Sequence, residues 1–575
     1  MADGAMLIST ATQRNWGKLK TKSTEKLKSR ANKSRSEKFV IPDNYMDSHG
    51  IESLMEQVYT CTGSIQDIFY SLCLQKLSFV HGCPNYERFV AEYGENTVIP
   101  LMAPTEILSD LNKDWLGFLY QMKIPEGQRN LQGQYYTNAE IVRSMMSICR
   151  PDAKAKYFDP CCGTGIFLMN AGAGSLSQLF GVDNDPVAVM IAKANLIALF
   201  PEDKQYPQVY CEDYLDHSIF SKNHLEDCLF DYIFTNPPWG ISKVNDYSYP
   251  GIVSRERSSL FFAKAFSQLK AGGVLSFLLP SSLLKIKTHC DIRSFILHNT
   301  QIEQIALFSN QFNGVFTDFF SITVSRNDTK GVQSYRLIKE NKCFKITMPL
   351  SPGMSEIELN ESKDQELLAI IEQKGHDTLD HSIWALGIVT GDNKNKLQKT
   401  SFDNCEEIYI GKDIMKYLLK KPSNYLLYDR SQLQQCAKDE YYRCQEKLVY
   451  RFISKNLCFA YDNSGSLFLN SANILIPSID GMSVKTVLAF LNSEVFAFYY
   501  TKKFTDIKVL KSNLMALPFP KITDKQNIEL SGLVDRILQG EKDVKDLIDN
   551  YIYSLYGFSD TIVKSIKQDL YGNID

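Results

Sequence analysis

The segment that most limits how this chain can fold is residues 231–240, which read DYIFTNPPWG and contain two consecutive prolines. Residues 232–234 are apolar and predict a short buried strand. Asn236 follows, and then Pro237 and Pro238, which have no N–H to donate and cannot continue a central strand. The chain must therefore leave the sheet at Asn236. In open α/β sheets, ligands bind where the strands end in this way.

The residues after this strand indicate what could bind there. Asn236 offers a side-chain carbonyl and Pro237 a main-chain carbonyl, so both can accept a hydrogen bond. Trp239 adds a broad flat face. Two acceptors and a stacking surface suit a planar group that carries an NH2, such as adenine. A plain Asn-Pro-Pro turn beside a core tryptophan is the competing interpretation of this segment alone.

A glycine-rich turn comes earlier in the chain. Residues 157–168 read YFDPCCGTGIFL and predict a strand, a turn and the start of a helix. Gly163 and Gly165 let the backbone take up positive φ and approach a ligand closely. A lone Gly-x-Gly turn is as often structural as functional, so the segment needs support from its surroundings.

Two more strands supply that support, because each ends in a carboxylate. Residues 179–182 precede Asp183, which follows the glycine turn by about 20 residues, the spacing at which a carboxylate accepts from ribose hydroxyls. Residues 208–211 precede Asp213, which could accept from an exocyclic amine. With helices between the strands and further strands near 272–280, 305–308 and 319–324, the pattern predicts an α/β, doubly wound, Rossmann-like sheet.

Length and composition limit which classes of protein this chain could belong to. A chain of 575 residues is too long for one core, and no apolar run approaches the ~18 residues of a membrane span. The fourteen cysteines are scattered, which predicts free thiols in a reducing cytoplasm and no metal site. Residues 1–40 contain ten Lys or Arg and predict either a solvated tail or an arm that lies along DNA phosphates.

In their order along the chain, five motifs together resemble the γ-class adenine-N6 DNA methyltransferases of restriction–modification systems, which use S-adenosyl-L-methionine (AdoMet). The resemblance spans residues 130–525, and its motifs are Gln134-Tyr-Tyr-Thr, Asp159-Pro-Cys-Cys-Gly-Thr-Gly, Gly181-Val-Asp, Glu212-Asp-Tyr and Asn236-Pro-Pro-Trp. The family usually has Tyr or Phe where this chain has Trp239, so the stacking face is kept while the shape of the pocket differs.

The resemblance implies a role for each matching residue. It places the methionine end of AdoMet on Tyr136 and Thr137, the ribose on Asp183 and the cofactor adenine on Asp213. The whole implied cofactor site is Tyr136, Thr137, Asp159, Pro160, Gly163, Gly165, Asp183, Asn184, Asp213, Tyr214 and Asn236. The implied catalytic set is Asn236, Pro237, Pro238 and Trp239, with stacking on the target base by Trp239 and by Phe312 or Phe316.

The second half of the chain is rich in basic and aromatic residues, which suits a nucleic-acid surface, although an ordinary solvated surface is the alternative. Residues 467–477, 488–500 and 508–520 resemble the C-terminal specificity domain of TaqI-type methyltransferases. The candidate DNA-binding residues are Lys394, Lys412, Lys421, Arg430, Arg443 and Arg451. The predicted division is a basic arm (1–40), an N-terminal helical domain (41–125), a catalytic domain (126–345), an α+β target-recognition domain (346–525) and C-terminal helices (526–575).

The implied function is transfer of a methyl group from AdoMet to N6 of a flipped-out adenine in duplex DNA. The expected partners are double-stranded DNA and, as a candidate, a separately encoded restriction endonuclease; the expected state is a cytoplasmic monomer. Three alternatives stay open. They are a modification subunit that needs a separate specificity subunit, a glutamine or RNA methyltransferase with the same Asn-Pro-Pro pocket, and a DNA-binding module without activity.

Overall fold

The computed structural model describes residues 51–80, 82–124, 137, 139–149, 152, 154–216, 228–240, 248–308, 318–326, 331–340, 342–422, 424–454, 456–504 and 508–572. The chain divides into two compact units, Met1–Leu359 and Asn360–Asp575. The predicted basic arm lies outside the described residues. The finer five-part division stays a prediction.

The first unit is organised around one mixed sheet. Its described strands are β1 (Tyr157–Asp159), β2 (Leu179–Asp183), β3 (Gln208–Cys211), β4 (Phe230–Thr235), β5 (Leu269–Pro280), β6 (Gln301–Phe308), β7 (Phe319–Ser325), β8 (Val332–Lys339) and β9 (Lys342–Pro349). Their order is β3-β2-β1-β4-β5-β7-β6-β8-β9. Strands β1 to β5 pair in parallel, whereas β7 is antiparallel to both of its neighbours. The predicted α/β, doubly wound sheet is confirmed.

The strand order reverses between β1 and β4, which pair in parallel with Phe158 opposite Ile233. This reversal is the topological switch point, where a crevice opens at the carboxyl ends of the strands. Asp159 ends β1 and Asn236 follows β4, so two of the predicted site residues lie on opposite sides of this crevice. The predicted antiparallel pair near 305–308 and 319–324 is present as β6 and β7.

Helices cover the sheet. In the first unit the described helices are α1 (Ile51–Thr60), α2 (Ile65–Phe79), α3 (Tyr86–Tyr93), α4 (Thr105–Ser109), α5 (Trp115–Lys123), α6 (Ala139–Met146), α7 (Ile166–Met169), α8 (Pro186–Leu199), α9 (Arg257–Ser267), α10 (Ser282–Lys285) and α11 (Cys290–Asn299). Helix α8 is buried along nearly its whole length because one side packs near the sheet and the other shares a core with α1 to α5. The described helices of the predicted N-terminal helical domain (41–125) therefore cover α8.

The second unit combines small sheets with helices. Its described strands are β10 (Gly375–Asp377), β11 (Ile383–Leu386), β12 (Leu397–Gln398), β13 (Glu406–Tyr409), β14 (Asn424–Leu426), β15 (Lys447–Arg451), β16 (Phe459–Asp462), β17 (Leu467–Phe468), β18 (Ala472–Ile476) and β19 (Phe519–Pro520). They form two four-stranded sheets, β11-β18-β15-β16 and β12-β14-β13-β17, and the pair β10-β19.

The second unit also contains helices. Those described are α12 (Ser362–Lys374), α13 (Asn393–Lys396), α14 (Asp439–Tyr442), α15 (Val484–Asn492), α16 (Glu494–Lys503), α17 (Lys511–Met515), α18 (Asp524–Leu538), α19 (Val544–Tyr556) and α20 (Asp560–Tyr571). Of these helices, α15 packs against β15 and β16. The mixture of strands and helices matches the α+β character predicted for this half. Of the helices described in either unit, none is long and apolar enough to cross a membrane.

Candidate active site

A cavity of about 200 Å³, partly open to solvent, lies at the carboxyl ends of β1, β2 and β4. The cavity brings together eight residues predicted from the sequence: Pro160, Gly163, Asp183, Asn184, Asp213, Tyr214, Asn236 and Pro238. The motifs from four strands therefore converge on one cavity.

The glycine-rich turn after β1 has the backbone that its sequence predicts. Gly163 has φ +52° and Gly165 has φ +91°, both in the left-handed region that favours glycine. A Cβ on Gly165 would lie 3.3 Å from the Cβ of Ala192 in α8. Gly165 therefore serves both the turn and its close approach to a helix, while Gly163 lines the cavity.

Asp183 is held at the end of β2 by two main-chain donors. Its Oδ2 accepts from the N–H of Gly163 at 2.8 Å, and its Oδ1 accepts from the N–H of Asp185 at 3.0 Å. Burial raises the pKa of this carboxyl to about 6. Oδ2 also accepts from the thiol of Cys161, with Sγ at 3.8 Å. Because a carboxylate oxygen has two lone pairs, Oδ1 can still accept from one ribose hydroxyl, and a second hydroxyl would replace the weak thiol donor at Oδ2.

Asp159 carries a buried oxygen without a hydrogen bond of normal geometry, although the hydroxyl of Thr235 lies near enough to lower the pKa of its carboxyl. Its Oδ1 accepts from the N–H of Cys161 at 3.0 Å, whereas Oδ2 forms no hydrogen bond of normal geometry with any described residue. Burial raises the pKa of this carboxyl to about 7. Native proteins rarely leave a buried acceptor unsatisfied, so this oxygen fits a ligand that brings its own donor, such as an ammonium group.

The two residues predicted after β3 play different parts. Asp213 lines the cavity, and its Oδ1 also accepts from the N–H of Leu215 at 3.0 Å. The Tyr214 hydroxyl instead donates to Gln268 at 2.7 Å, and its buried ring packs 5.0 Å from that of Phe261. Tyr214 therefore shapes the wall of the cavity from the core, while Asp213 presents an acceptor.

Asn236 is oriented by a second predicted residue. Its side-chain Nδ2 donates to Oγ1 of Thr137 at 3.2 Å, which leaves Oδ1 as the acceptor of the amide. The resemblance placed Thr137 at the methionine end of the cofactor, and the structure shows it in contact with the amide of Asn236. Tyr136, the other residue predicted there, lies outside the described residues, as do Phe312 and Phe316.

Trp239 is half-buried and fixed at its edge. Its indole Nε1 donates to the carbonyl of Leu278 at 3.3 Å, and its ring lies 6.2 Å from that of Phe319. The next residue, Gly240, donates its N–H to the buried carboxylate of Glu256 at 2.6 Å. These contacts hold Trp239 and the residue that follows it in place at the end of the Asn-Pro-Pro-Trp segment.

A buried polar network behind the glycine turn was missed by the sequence analysis. Asp114 accepts from the hydroxyl of Thr164, from the N–H of Gly117 at 2.8 Å and from Nδ2 of Asn195 at 2.8 Å. Lys76 Nζ donates to Oδ1 of Asn195 at 2.7 Å. Burial raises the pKa of Asp114 and lowers the pKa of Lys76 to about 8. The network ties the N-terminal helices to the cofactor turn.

One sequence signal could have led to part of this network. Asp114 precedes α5 and caps its N-terminus, which is a recognisable pattern for aspartate. A Cβ on Gly117 would lie 2.1 Å from Oδ2 of Asp114, so only glycine fits there. The pairing with Thr164, fifty positions away, has no local signal.

The cavity also contains residues that no motif indicated. Tyr120 and Gln121 of α5 line it, and the Tyr120 hydroxyl donates to Oδ2 of Asp185 at 2.5 Å. Arg257 and Phe261 enter from α9. The lining thus places a cation among the carboxylates that border the cavity.

The predicted DNA-binding residues fall into two groups. Lys394, Lys412 and Lys421 are exposed. Arg430 and Arg443 each pair with a carboxylate of the second unit at 2.5 Å, and Arg451 donates to the carbonyl of Ile414 at 2.9 and 2.5 Å. The arginines thus have structural contacts, whereas the lysines extend towards solvent. A role in DNA binding stays a prediction for all six.

Two family models match the chain. Residues 112–345 match the model described as N-6 DNA methylase. This match identifies an N-6 DNA methylase domain that spans less than half of the chain. Residues 406–519 match a second model, described as a TaqI-like C-terminal specificity domain. The family resemblance drawn from the five motifs is confirmed, as is AdoMet as the cofactor.

Known proteins resemble the chain over different lengths. The type II methyltransferase M.VspI of Vibrio sp. (strain 343) is 28% identical over 334 residues, which are 54% of this chain and 77% of that protein. M.HincII of Haemophilus influenzae is 25% identical over 200 residues, 33% of this chain and 36% of that protein. A solved structure of the type IIL restriction–modification enzyme MmeI in complex with DNA covers 90% of this chain and 92% of its own, with 13% identity and a TM-score of 0.55. That likeness shows the fold.

Proposed function

We propose that the chain transfers the methyl group of AdoMet to N6 of one adenine in a specific duplex sequence, with that adenine flipped into the crevice beside Asn236. The observation that carries this proposal is the orientation of the Asn236 amide, whose Nδ2 is held by Thr137 so that Oδ1 is left to accept from an amine. This acceptor lies at the cavity that fits the cofactor.

The residues of the cavity fit AdoMet by their chemistry. Asp183 offers acceptors for the ribose hydroxyls, and Asp213 offers one for the adenine amine. The buried, unsatisfied Oδ2 of Asp159 fits the ammonium of the methionine end. When bound, AdoMet supplies a methyl group already activated on a positively charged sulfur.

The residues after β4 would act on the target amine. Because the lone pair of an adenine amine is delocalised into the ring, the amine is a poor nucleophile. Acceptors at Oδ1 of Asn236 and at the main-chain carbonyl of Pro237 would favour a pyramidal nitrogen and stabilise the positive charge that develops on it. Catalysis in this proposal rests on these two hydrogen bonds and on positioning.

The target base has to leave the helix to reach these acceptors. Trp239 is half-buried and fixed by its Nε1, so it can offer a rigid aromatic face to the flipped base. We place sequence recognition in the predicted target-recognition domain (346–525), which contains the match to the specificity domain and in which Lys394, Lys412 and Lys421 are exposed. We further propose that the chain acts as a cytoplasmic monomer, without a separate specificity subunit, alongside a separately encoded endonuclease.

Modification mapping tests the whole proposal. The chain would be expressed in cells that lack other DNA methyltransferases, with an Asn236→Ala version in parallel, and the genomic DNA would be read for modified bases. We expect N6-methyladenine in one short sequence motif, and none with Asn236→Ala. If the folded chain binds AdoMet and no motif is modified, the proposal of a self-sufficient DNA enzyme is wrong. Methylation that appears only with an added specificity subunit would identify a modification subunit.

A further inference from the structure

A turn beside the target-base segment presents an apolar side chain to solvent. Residues 248–257 connect the Asn-Pro-Pro-Trp segment to α9, and within them Val253 is 87% exposed. The turn reverses tightly, because Tyr249 and Ile252 form a β-bridge around Gly251, which has φ +84°. A valine in such a position contributes nothing to the core.

Two carboxylates hold this turn in place. Oδ2 of Asp291, in the first turn of α11, accepts from the N–H of Val253 at 2.8 Å and from that of Ser254 at 2.6 Å. The buried carboxylate of Glu256 accepts from the N–H of Gly240 at 2.6 Å. The position of Val253 is therefore fixed relative to the segment that ends at Gly240.

The surroundings of the turn are basic. Arg255 is exposed on the turn itself. Ile286, which is 44% exposed, and Lys287, which is exposed, lie shortly before Asp291 in the chain and follow β5 at the sheet edge where β4 also ends. Both carboxylates keep their charge, but Glu256 is buried and Asp291 is half-buried, whereas Arg255 and Lys287 are exposed, so the charges that face solvent most fully here are positive.

We propose that residues 248–257 are a DNA contact of the catalytic unit, in which Val253 packs against the duplex next to the position vacated by the flipped base. This inference rests on the proposed function, because it requires the target base to enter beside Asn236. Neighbouring nucleotides of one strand are separated by about 3.4 Å of helix axis, so those that flank the target must lie against this edge. Apolar side chains of other DNA-binding proteins are placed between base steps in this way.

The basic residues would contact the flanking phosphates. Arg255 and Lys287 carry the charge that the phosphates of a duplex require, and phosphate contacts position a protein on DNA without reading its sequence. Replacing either by glutamine is expected to weaken duplex binding and to reduce the slope of log K against log salt by about one.

The test of Val253 uses a matched valine elsewhere on the same sheet. Val332 is 43% exposed and begins β8, which runs in the same direction as β4, so it lies at the opposite edge of the sheet from Asn236. Val253→Asp and Val332→Asp would be compared with the unmodified chain for methylation of a duplex with the mapped motif, for 2-aminopurine fluorescence at the target position, and for affinity towards AdoMet and DNA.

We expect Val253→Asp to lower kcat/KM for the duplex by about tenfold or more and to reduce the fluorescence of the flipped 2-aminopurine. Val253→Ile should keep kcat/KM and the 2-aminopurine fluorescence near those of the unmodified chain, and Val332→Asp should change neither quantity. The affinity of all variants for AdoMet should stay within about twofold of that of the unmodified chain. These results would separate a DNA contact from a loss of folding.

The outcomes also separate this inference from the proposed function. If the unmodified chain methylates adenine and Val253→Asp behaves like Val332→Asp, the DNA contact is wrong and the function stands. If the unmodified chain binds duplex DNA without methylating it, the proposed function fails, and a weaker affinity of Val253→Asp alone would still support the contact. If the unmodified chain binds no DNA, both are overturned.

Discussion

The two sides of the glycine-rich turn each contain a buried aspartate, and the two aspartates differ in how fully they are hydrogen-bonded. Behind the turn, Asp114 is buried and accepts from three donors, one of them the hydroxyl of Thr164. In front of it, Asp159 is equally buried, and its Oδ2 has no hydrogen bond of normal geometry with the described residues. A buried carboxylate that is fully paired holds the structure, whereas one that keeps an unpaired oxygen is prepared for a ligand.

This contrast predicts different consequences for the two sides. Substitutions behind the turn should cost stability first, because they leave Lys76 buried without its network. Substitutions in front should cost ligand binding or catalysis and leave the fold intact. Each of the following experiments tests one part of that separation.

The largest effect is expected for Asp114→Ala. It removes the carboxylate that acts most strongly on the buried Lys76, and the loss of such a partner typically costs about 3–5 kcal/mol of the free energy of unfolding. Urea unfolding of the AdoMet-free chain measures it. Ser64→Ala is the matched control, since Ser64 also caps a helix but at the surface, and its loss should cost about 1 kcal/mol. Equal losses for the two variants would show that the network adds nothing beyond the cap.

Asn236→Ala should come next, with its effect on chemistry alone. Removing one preorganised hydrogen bond to the reacting group typically lowers the rate by about 100- to 1,000-fold. Single-turnover methylation measures this rate, and calorimetry checks that the affinity for AdoMet is kept. Thr137→Val, which removes only the contact that orients the amide, should have a smaller effect in the same direction. A large loss of AdoMet affinity with Asn236→Ala would show that this residue acts mainly in holding the cofactor.

A pH dependence of AdoMet binding should be smaller. Burial raises the pKa of Asp183 to about 6, so in the AdoMet-free protein this carboxyl favours stability at low pH and loses that contribution as the pH rises through about 6. Hydroxyl donors prefer the ionised carboxylate, and ligand affinity should therefore fall by about tenfold between pH 7 and pH 5. Calorimetric titrations over this range test it. The dependence should be absent from Asp183→Asn, and its persistence there would point to another group.

The smallest effect is expected for Asp159→Asn. Because burial raises the pKa of Asp159 to about 7, its ionised form destabilises the AdoMet-free protein above that pH. The amide should raise the free energy of unfolding by about 1 kcal/mol at pH 8 and by less at pH 5, while weakening AdoMet binding. Unfolding midpoints at the two pH values measure the first effect. A variant that is less stable at pH 8 would contradict the assignment of Oδ2 to a ligand.

The front of the turn could be predicted from sequence, because its residues follow strands that end at one edge. Gly163, Asp183 and Asn236 each come directly after an apolar stretch, and the parallel strand order then places them together. That argument needs only local patterns and the rule that parallel sheets bind ligands at their carboxyl ends.

The back of the turn could not be predicted in that way. Asp114, Thr164 and Asn195 are separated by tens of residues and carry no shared pattern, so their contact depends on how helices pack. The contact between Arg451 and the carbonyl of Ile414 also had no local signal, and a role of Arg451 in DNA binding stays a prediction. The amino-acid type alone does not show whether a side chain pairs within the protein or binds a ligand.

The shared core of α8 and the first five helices has a consequence for synthesis on the ribosome. Helices α1 to α5 are made first, yet the apolar surface that completes their core belongs to α8, which ends at Leu199. Until α8 has emerged, residues such as Leu72 and Leu119 have no partner on that side, and exposed apolar surface makes a nascent chain prone to aggregation. The N-terminal helices should therefore require a chaperone, or should delay their folding, until the chain has been translated past Leu199.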